Sequence, residues 1–387
     1  MIRGFGGIFY LPMLVGSLNS LSSNIPAYAG ETINAFQAPL AYPEPNPPLI
    51  PGTQNINAFA RDSRDTYAAS WSFGVQQEIA PQTIFELNYV GSKDNHLPAG
   101  AAYAGLEVNP LDPLTGNKPY PNFGTIRQLG SFLQSKYNAM QVQLRHRTGR
   151  ANFDVNYTWS HEIDNALDVF GTFSDPYNYN LDKASGEIDV RQVLSADVVY
   201  SLPSLRGSGS LVRTVLGDWQ TSGIFQARSG LPVNIQDESG FFAAPFRPDY
   251  VSGESTNVSG AHAPDSSFNP AAFAIQPDYN ETLTIGSLGR NAGRSAPFYQ
   301  LDLSAMKSFP ITEKVRLQFR ADLFNLLNHP NFGPQDGGLC QAITLPTATS
   351  PAICNPNPNF GKSGSTIGSL IGTGTSRQAQ LVLKLMF

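Results

Sequence analysis

The stretch that decides the fold reads Tyr299-Gln300-Leu301-Asp302-Leu303-Ser304-Ala305, then Phe309-Pro310-Ile311-Thr312-Glu313, then Val315-Arg316-Leu317-Gln318-Phe319-Arg320-Ala321-Asp322. On each side of the central break, apolar residues hold the odd positions and polar residues the even ones. A period of two gives strands with two chemically different faces, so the stretch reads as a β-hairpin. Folding it about Ile311 predicts Leu301 opposite Ala321, Leu303 opposite Phe319 and Ala305 opposite Leu317 on the apolar face. The same register puts Asp302 opposite Arg320 and Ser304 opposite Gln318 on the polar face. A soluble sandwich buries such an apolar face, whereas an outer-membrane barrel turns it toward lipid. The hairpin alone fits both.

The remainder of the chain separates them. Period-two segments recur at residues 2–10, 66–79, 83–91, 135–146, 151–163, 191–202, 217–229 and 378–387. With the two arms of the hairpin they predict ten strands of about nine to fourteen residues, the length a tilted membrane-spanning strand needs. Trp71, Phe73 and Val75 alternate with Ser70, Ser72 and Gly74; Phe153, Val155, Tyr157 and Trp159 alternate with Asp154, Asn156, Thr158 and Ser160. A turn at Ala80-Pro81-Gln82 predicts Phe73 opposite Tyr89 and Val75 opposite Leu87. A turn at Thr148-Gly149 predicts Leu144 opposite Phe153, Val142 opposite Val155 and Gln143 opposite Asp154. The connections alternate long and short along the whole chain. Short turns on one side and long loops on the other are the mark of a transmembrane β-barrel; a Greek-key sandwich has no reason to sort its loops this way. Phe153, Trp219 and Phe387 fall at the short-turn ends, where an interfacial aromatic girdle would lie. The fold class expected is therefore all-β: an antiparallel transmembrane β-barrel segment of about ten strands, with long extracellular loops and short periplasmic turns. Its apolar face meets outer-membrane lipid, and its Gln, Asn, Ser, Asp and Arg face lines the interior.

Composition sets further bounds. Of 387 residues only 14% are charged, with 35 glycines, 30 prolines and 11% aromatics. A net charge of -5 with no basic block argues against a nucleic-acid partner. The longest near-apolar run, residues 7–18, is broken by glycine and Pro12 and is too short for a membrane-spanning helix. Met1-Ile2-Arg3, the apolar run and Ala27-Tyr28-Ala29 imitate a signal peptide with its cleavage site. The glycines and the late site favour a strand over residues 2–10 instead.

Several motifs carry a family resemblance. Asp189-Val190-Arg191, Trp219-Gln220-Thr221-Ser222-Gly223-Ile224, Ser229-Gly230-Leu231-Pro232 and Leu288-Gly289-Arg290-Asn291 resemble the last part of Oar-like TonB-dependent receptors. So do Leu317-Gln318-Phe319-Arg320-Ala321, the block Phe324-Asn325-Leu326-Leu327-Asn328-His329-Pro330-Asn331-Phe332-Gly333, and residues 377–387. The resemblance covers nearly the whole chain. It implies a 22-stranded barrel with an internal plug, uptake of large substrates driven through TonB, and a terminal aromatic residue, here Phe387, read by the barrel-assembly machinery. This chain has room for ten strands and shows no plug, so residues 1–387 are expected to be the C-terminal portion of such a barrel, not competent alone, with TonB engaged only through N-terminal parts.

Motifs for chemistry are thin, and neither catalytic residues, cofactor nor metal is expected. The histidines (His96, His146, His161, His262 and His329) lack the spacing of a zinc helix. Gly361-Lys362-Ser363 ends like a phosphate loop, but Pro356 stands where the first glycine belongs; Gly368, Gly372 and Gly374 read as loop. Asp302 and Arg320, with Arg316, Asp322 and Asp197, imitate a catalytic cluster and read instead as ion pairs on the lumen wall. Cys340 and Cys354, the only cysteines, share one extracellular loop and are expected to form a disulfide, worth about 3 kcal/mol in the chain-entropy model. The alternative function is an independent ten-stranded barrel, either a passive pore or an omptin-like surface protease using His161, Asp164 and Asp168.

Overall fold

Ten strands follow one another in chain order across a single antiparallel sheet in the computed structural model, which describes residues 1–11, 21, 24, 54–99, 106–109, 117–165, 174, 178–205, 207, 209–238, 247–260, 263–277, 286–367 and 376–387. They are β1 (Ile2–Leu11), β2 (Thr66–Ala80), β3 (Thr83–Ala99), β4 (Ile126–Arg147), β5 (Ala151–Asp164), β6 (Gln192–Ser201), β7 (Gln220–Arg228), β8 (Phe298–Pro310), β9 (Arg316–Phe324) and β10 (Gln378–Met386). Each pairs with its neighbour in sequence, so the order is that of an up-and-down meander. Among the described residues β1 and β10 share no ladder with each other. The links β2–β3, β4–β5 and β8–β9 are tight turns, the β6–β7 link is longer, over residues 202–219, and those between are longer still. The β6–β7 link carries a short α-helix, α1 (Ser210–Leu216), which buries none of its residues.

The outward face is apolar and open. Phe73 faces Tyr89, Tyr89 faces Met140 and Met140 faces Trp159 across four strands. Phe73 is 55% exposed, Trp159 56%, and Leu381 and Leu383 on β10 are 72% and 67%. A face of this extent has no place in water, but it matches a band of lipid. The inward face is polar: Gln76 faces Glu86, Glu86 faces Gln143 and Gln143 faces Asn156. Trp71 lies flat over Gly91, its cross-strand partner, where a Cβ would sit 2.4 Å from the indole. Only glycine fits under that ring.

Register agrees with the sequence in one hairpin and departs in two. Phe73 meets Tyr89 and Val75 meets Leu87, as the Pro81 turn predicts. In the β4–β5 hairpin Thr148 N donates to Ala151 O at 3.0 Å, which puts Gly149 and Arg150 at the tip. Leu144 therefore meets Val155, not Phe153, and Gln143 meets Asn156, not Asp154. In the β8–β9 hairpin the N–H groups of Ile311 and Thr312 both donate to Val315 O, at 2.9 and 3.0 Å. Thr312 Oγ1 also accepts from Val315 N at 3.0 Å. The reversal thus spans residues 311–315 and is centred on Glu313 instead of Ile311. Ser304 faces Asp322, Ala305 faces Ala321 and Met306 faces Arg320. The expected Asp302–Arg320 pair does not form: Arg320 Nε reaches Asp322 on its own strand at 2.8 Å. Asp302 accepts instead from Gln300 Nε2 at 2.9 Å and Asn325 N at 2.8 Å. In both hairpins the offset is even, so every side chain keeps its predicted face.

The main buried apolar cluster among the described residues lies in loops above the sheet. Val233, Ile235, Phe268, Phe273, Leu288, Leu339, Cys340 and Phe360, all from the β7–β8 and β9–β10 loops, form one buried cluster. These two loops build a cap on the extracellular side.

Candidate functional site in the inner wall and the loop cap

The inner wall is a lattice of side chains that satisfy one another. Glu86 accepts from Gln76 Nε2 at 3.2 Å and from Asn88 Nδ2 at 2.8 Å. Asp154 accepts from Gln143 Nε2 (2.9 Å), Arg145 Nε (2.9 Å) and Asn156 Nδ2 (2.8 Å). Farther round, Gln300 donates to Asp302 and Arg320 to Asp322. A concavity of about 500 Å³ opens on this face between Ser92, Asp94, Ser135, Gln141 and Glu162, and reaches Asp189 in the loop above. Such a surface offers many weak donors and acceptors, suited to sliding hydrated solutes rather than to holding one.

Above the wall, three aspartates from β5 and the following loop meet arginines from the β7–β8 loop. Asp182, fully buried, accepts from Arg247 Nη1 at 2.8 Å and from Ser174 N at 2.9 Å, and pairs closely with Ser174 Oγ. Arg290 Nε donates to Asp182 O at 2.9 Å, and its Nη2 pairs closely with the Asp164 carboxylate. Arg294 donates from Nη1 to Asp189 O and from Nη2 to Asp189 Oδ2, both at 2.6 Å, while Arg191 Nε reaches Asp189 Oδ2 at 2.7 Å. Burial pushes the Asp189 carboxyl up. The Arg294 hydrogen bond, the Glu162 N–H and the charges of Arg191 and Arg294 together outweigh it and hold the group below the usual carboxylate range. Asn291 Nδ2 donates to Ser185 O at 2.8 Å, completing the seam. Each ion pair is partly or wholly out of water, so removing one partner would strand a charge. This clamp ties the large loop down against the rim of the wall.

The motifs quoted for the family resemblance meet here: Asp189-Val190-Arg191 and Leu288-Gly289-Arg290-Asn291 form two sides of the clamp. The sequence reading did not pair them, because Arg294 and Asp189 lie 105 residues apart and Arg290 and Asp164 lie 126 apart. An arginine in a charge-poor loop was the available signal. The block from Phe324 to Gly333 is a structural tie. Asn325 Nδ2 donates to His329 O at 2.9 Å, His329 stacks on Tyr299 with ring centroids 3.6 Å apart, and Asn331 Oδ1 accepts from Tyr299 N at 2.9 Å.

Inside the cap, Cys340 and Cys354 are joined by a disulfide between the short strands Gly338–Thr344 and Ile353–Pro356. Beside them Asp237 is 1% exposed, and neither of its carboxylate oxygens has a hydrogen-bond partner. Burial first, then the negative charge of Asp249, pushes it up to about 7, with Arg247 opposing. Phe387 closes β10 and is 95% exposed. Of the residues of the protease alternative, the two that are described stand on opposite faces of β5. His161 stands on the outward face with Trp159, Asp164 points inward onto Arg290, and Asp168 lies outside the described residues, as do His262, Gly368, Gly372 and Gly374.

The model of the family described as outer membrane beta barrel domain matches residues 1–380. No curated protein matches the chain. Among solved structures, the outer membrane transporter YddB from Escherichia coli aligns with 87% of this chain and 34% of its own, at 10% identity and a TM-score of 0.39. The chain thus spans about a third of that transporter's length.

Proposed function

The chain belongs to the outer membrane beta barrel domain family, and from that membership we propose that its ten strands form part of the wall of a TonB-dependent transporter of the Oar-like kind. The observation that carries this reading is the pairing of a polar, hydrogen-bonded inner wall with a large loop body clamped to its rim. A passive pore needs the wall but gains nothing from a cap of this size. A receptor that first captures large substrates outside the cell needs both. The motifs that resemble Oar-like receptors support the same reading, since two of them build the clamp and a third ties β8 to β9. Among the described residues β1 and β10 each keep one unpaired ladder edge, and in this reading further strands complete the wall there, because unpaired backbone groups are not tolerated in hydrocarbon. Energised uptake belongs to that completed receptor, and Phe387 is the residue through which the assembly machinery would recognise it.

The test is in vivo cross-linking in the native host, with an antibody against residues 326–333 as the probe. A cross-linked species containing both this chain and TonB is expected in outer-membrane fractions. Recovery of the chain from the outer membrane with no TonB adduct, under conditions where known receptors form one, would refute TonB dependence and leave the barrel standing.

A further inference from the structure

The outward face changes character toward the extracellular end of β3 and β4. Its aromatic row, Phe73, Tyr89, Met140 and Trp159, is followed one step up by Trp71, Gly91, Asn138 and His161, and two steps up by Ala69, Lys93, Lys136 and Ile163. Lys93 and Lys136 are directly opposite one another across the ladder, and both are exposed. Like charges in that position repel. Among the described residues neither forms an ion pair, and no acidic side chain shares their rows on this face. The neighbouring carboxylates, Asp94 and Glu162, alternate onto the inner face. Arg191, nearby, is already paired with Asp189.

The height of the pair matters. Lys93 lies ten residues above Thr83, about 33 Å along the strand, or roughly 25 Å of vertical rise at the usual barrel tilt. That is the upper edge of an apolar band about 25 Å tall, where lipid headgroups of the outer leaflet begin. Directly below, Tyr89, Asn138, Met140, Trp159, His161 and Arg191 line an open, mostly apolar cavity of about 310 Å³. The Tyr89 hydroxyl donates to Asn138 Oδ1 at 2.7 Å. Two uncompensated ammonium groups over an apolar, lipid-level cavity are complementary to a molecule with an anionic head and acyl tails.

We propose that Lys93 and Lys136 bind the phosphate of an outer-leaflet lipid whose acyl chains pack against Tyr89, Met140 and Trp159. The phosphate oxygens accept from both ammonium groups and cancel the repulsion that the bare pair suffers. The site rests on the orientation of the sheet in the outer membrane and is independent of TonB or of transport.

The experiment is native mass spectrometry of the full chain extracted from outer membranes and exchanged into phosphatidylcholine nanodiscs. The probes are diphosphoryl lipid A, its enzymatically dephosphorylated form, and inorganic phosphate. Wild type is expected to retain the diphosphorylated lipid about tenfold better than the dephosphorylated one. Lys93→Gln with Lys136→Gln should abolish that preference, and Lys93→Arg with Lys136→Arg should keep it. Both residues are exposed, so heat-modifiable gel mobility should be unchanged in every variant. Equal retention of the two lipids by wild type, an unchanged preference in the double glutamine variant, or competition by inorganic phosphate as strong as that by the lipid would each overturn the proposal. Failure to recover the chain from outer membranes would strike instead at its location.

Discussion

At the scale of single residues, the alternation on β9 makes opposite demands on neighbours. Leu317 faces outward beside Leu385, and Gln318 faces inward beside Lys384. Leu317 stands next to the short β8–β9 turn, at the interfacial end of the strand, so Leu317→Arg is expected to cost up to about 1 kcal/mol, whereas Gln318→Arg should cost nothing measurable. Equal tolerance in an outer-membrane folding assay would contradict the assigned faces. Asp237 makes a second demand. Its folded pKa is raised from 3.8 to about 7, so the unfolded chain releases its proton before the folded one does. Cap stability should therefore fall as pH rises from about 4 to about 7 and stay level above, by on the order of 2–4 kcal/mol. Asp237→Asn should flatten that slope and strengthen the cap at neutral pH, read as protease nicking of the β7–β8 loop at pH 5 and pH 8. A wild-type cap that resists protease equally at both values would show that the carboxyl is not held neutral. Asp189, held low by its arginines, acts with the opposite sign and only at more acid pH.

At the scale of elements, the strands were legible and their phase was not. Alternation fixes which face a side chain takes, because the period is two. It leaves the register free to slip by even steps, and only the turn settles that. Pro81 and Gln82, the latter at φ 59°, pin the β2–β3 turn, and there the pairs follow the sequence. The reversal at residues 311–315 offers no such punctuation, and its Thr312 and Val315 hydrogen bonds move the centre to Glu313. The register predicts chemistry that can be checked directly. Ser304→Cys with Asp322→Cys should close a disulfide under mild oxidation, and Asp302→Cys with Arg320→Cys should not. Closure of the second pair alone would restore the tighter turn. The upper half of β4 also went unread, since Ile126-Arg127-Gln128-Leu129-Gly130 lacks clean alternation and is held by the short parallel strand Ile56–Phe59.

At the scale of the whole molecule, the sheet and the cap obey different rules. The cap has a conventional buried core around Phe268 and Ile235, both fully buried, together with a disulfide and buried ion pairs. None of that was visible in advance, apart from the two cysteines, because it is assembled from loop segments with no period. The sheet inverts the usual order, with its apolar side chains outermost, and that inversion is the central claim. Nitroxide labels placed one at a time at positions 317 to 322 in lipid vesicles test it most directly, since the only native cysteines are bonded to each other. Oxygen accessibility should peak at 317, 319 and 321, and accessibility to a water-soluble nickel chelate at 318, 320 and 322. The reverse alternation, or none, would contradict a lipid-facing apolar face.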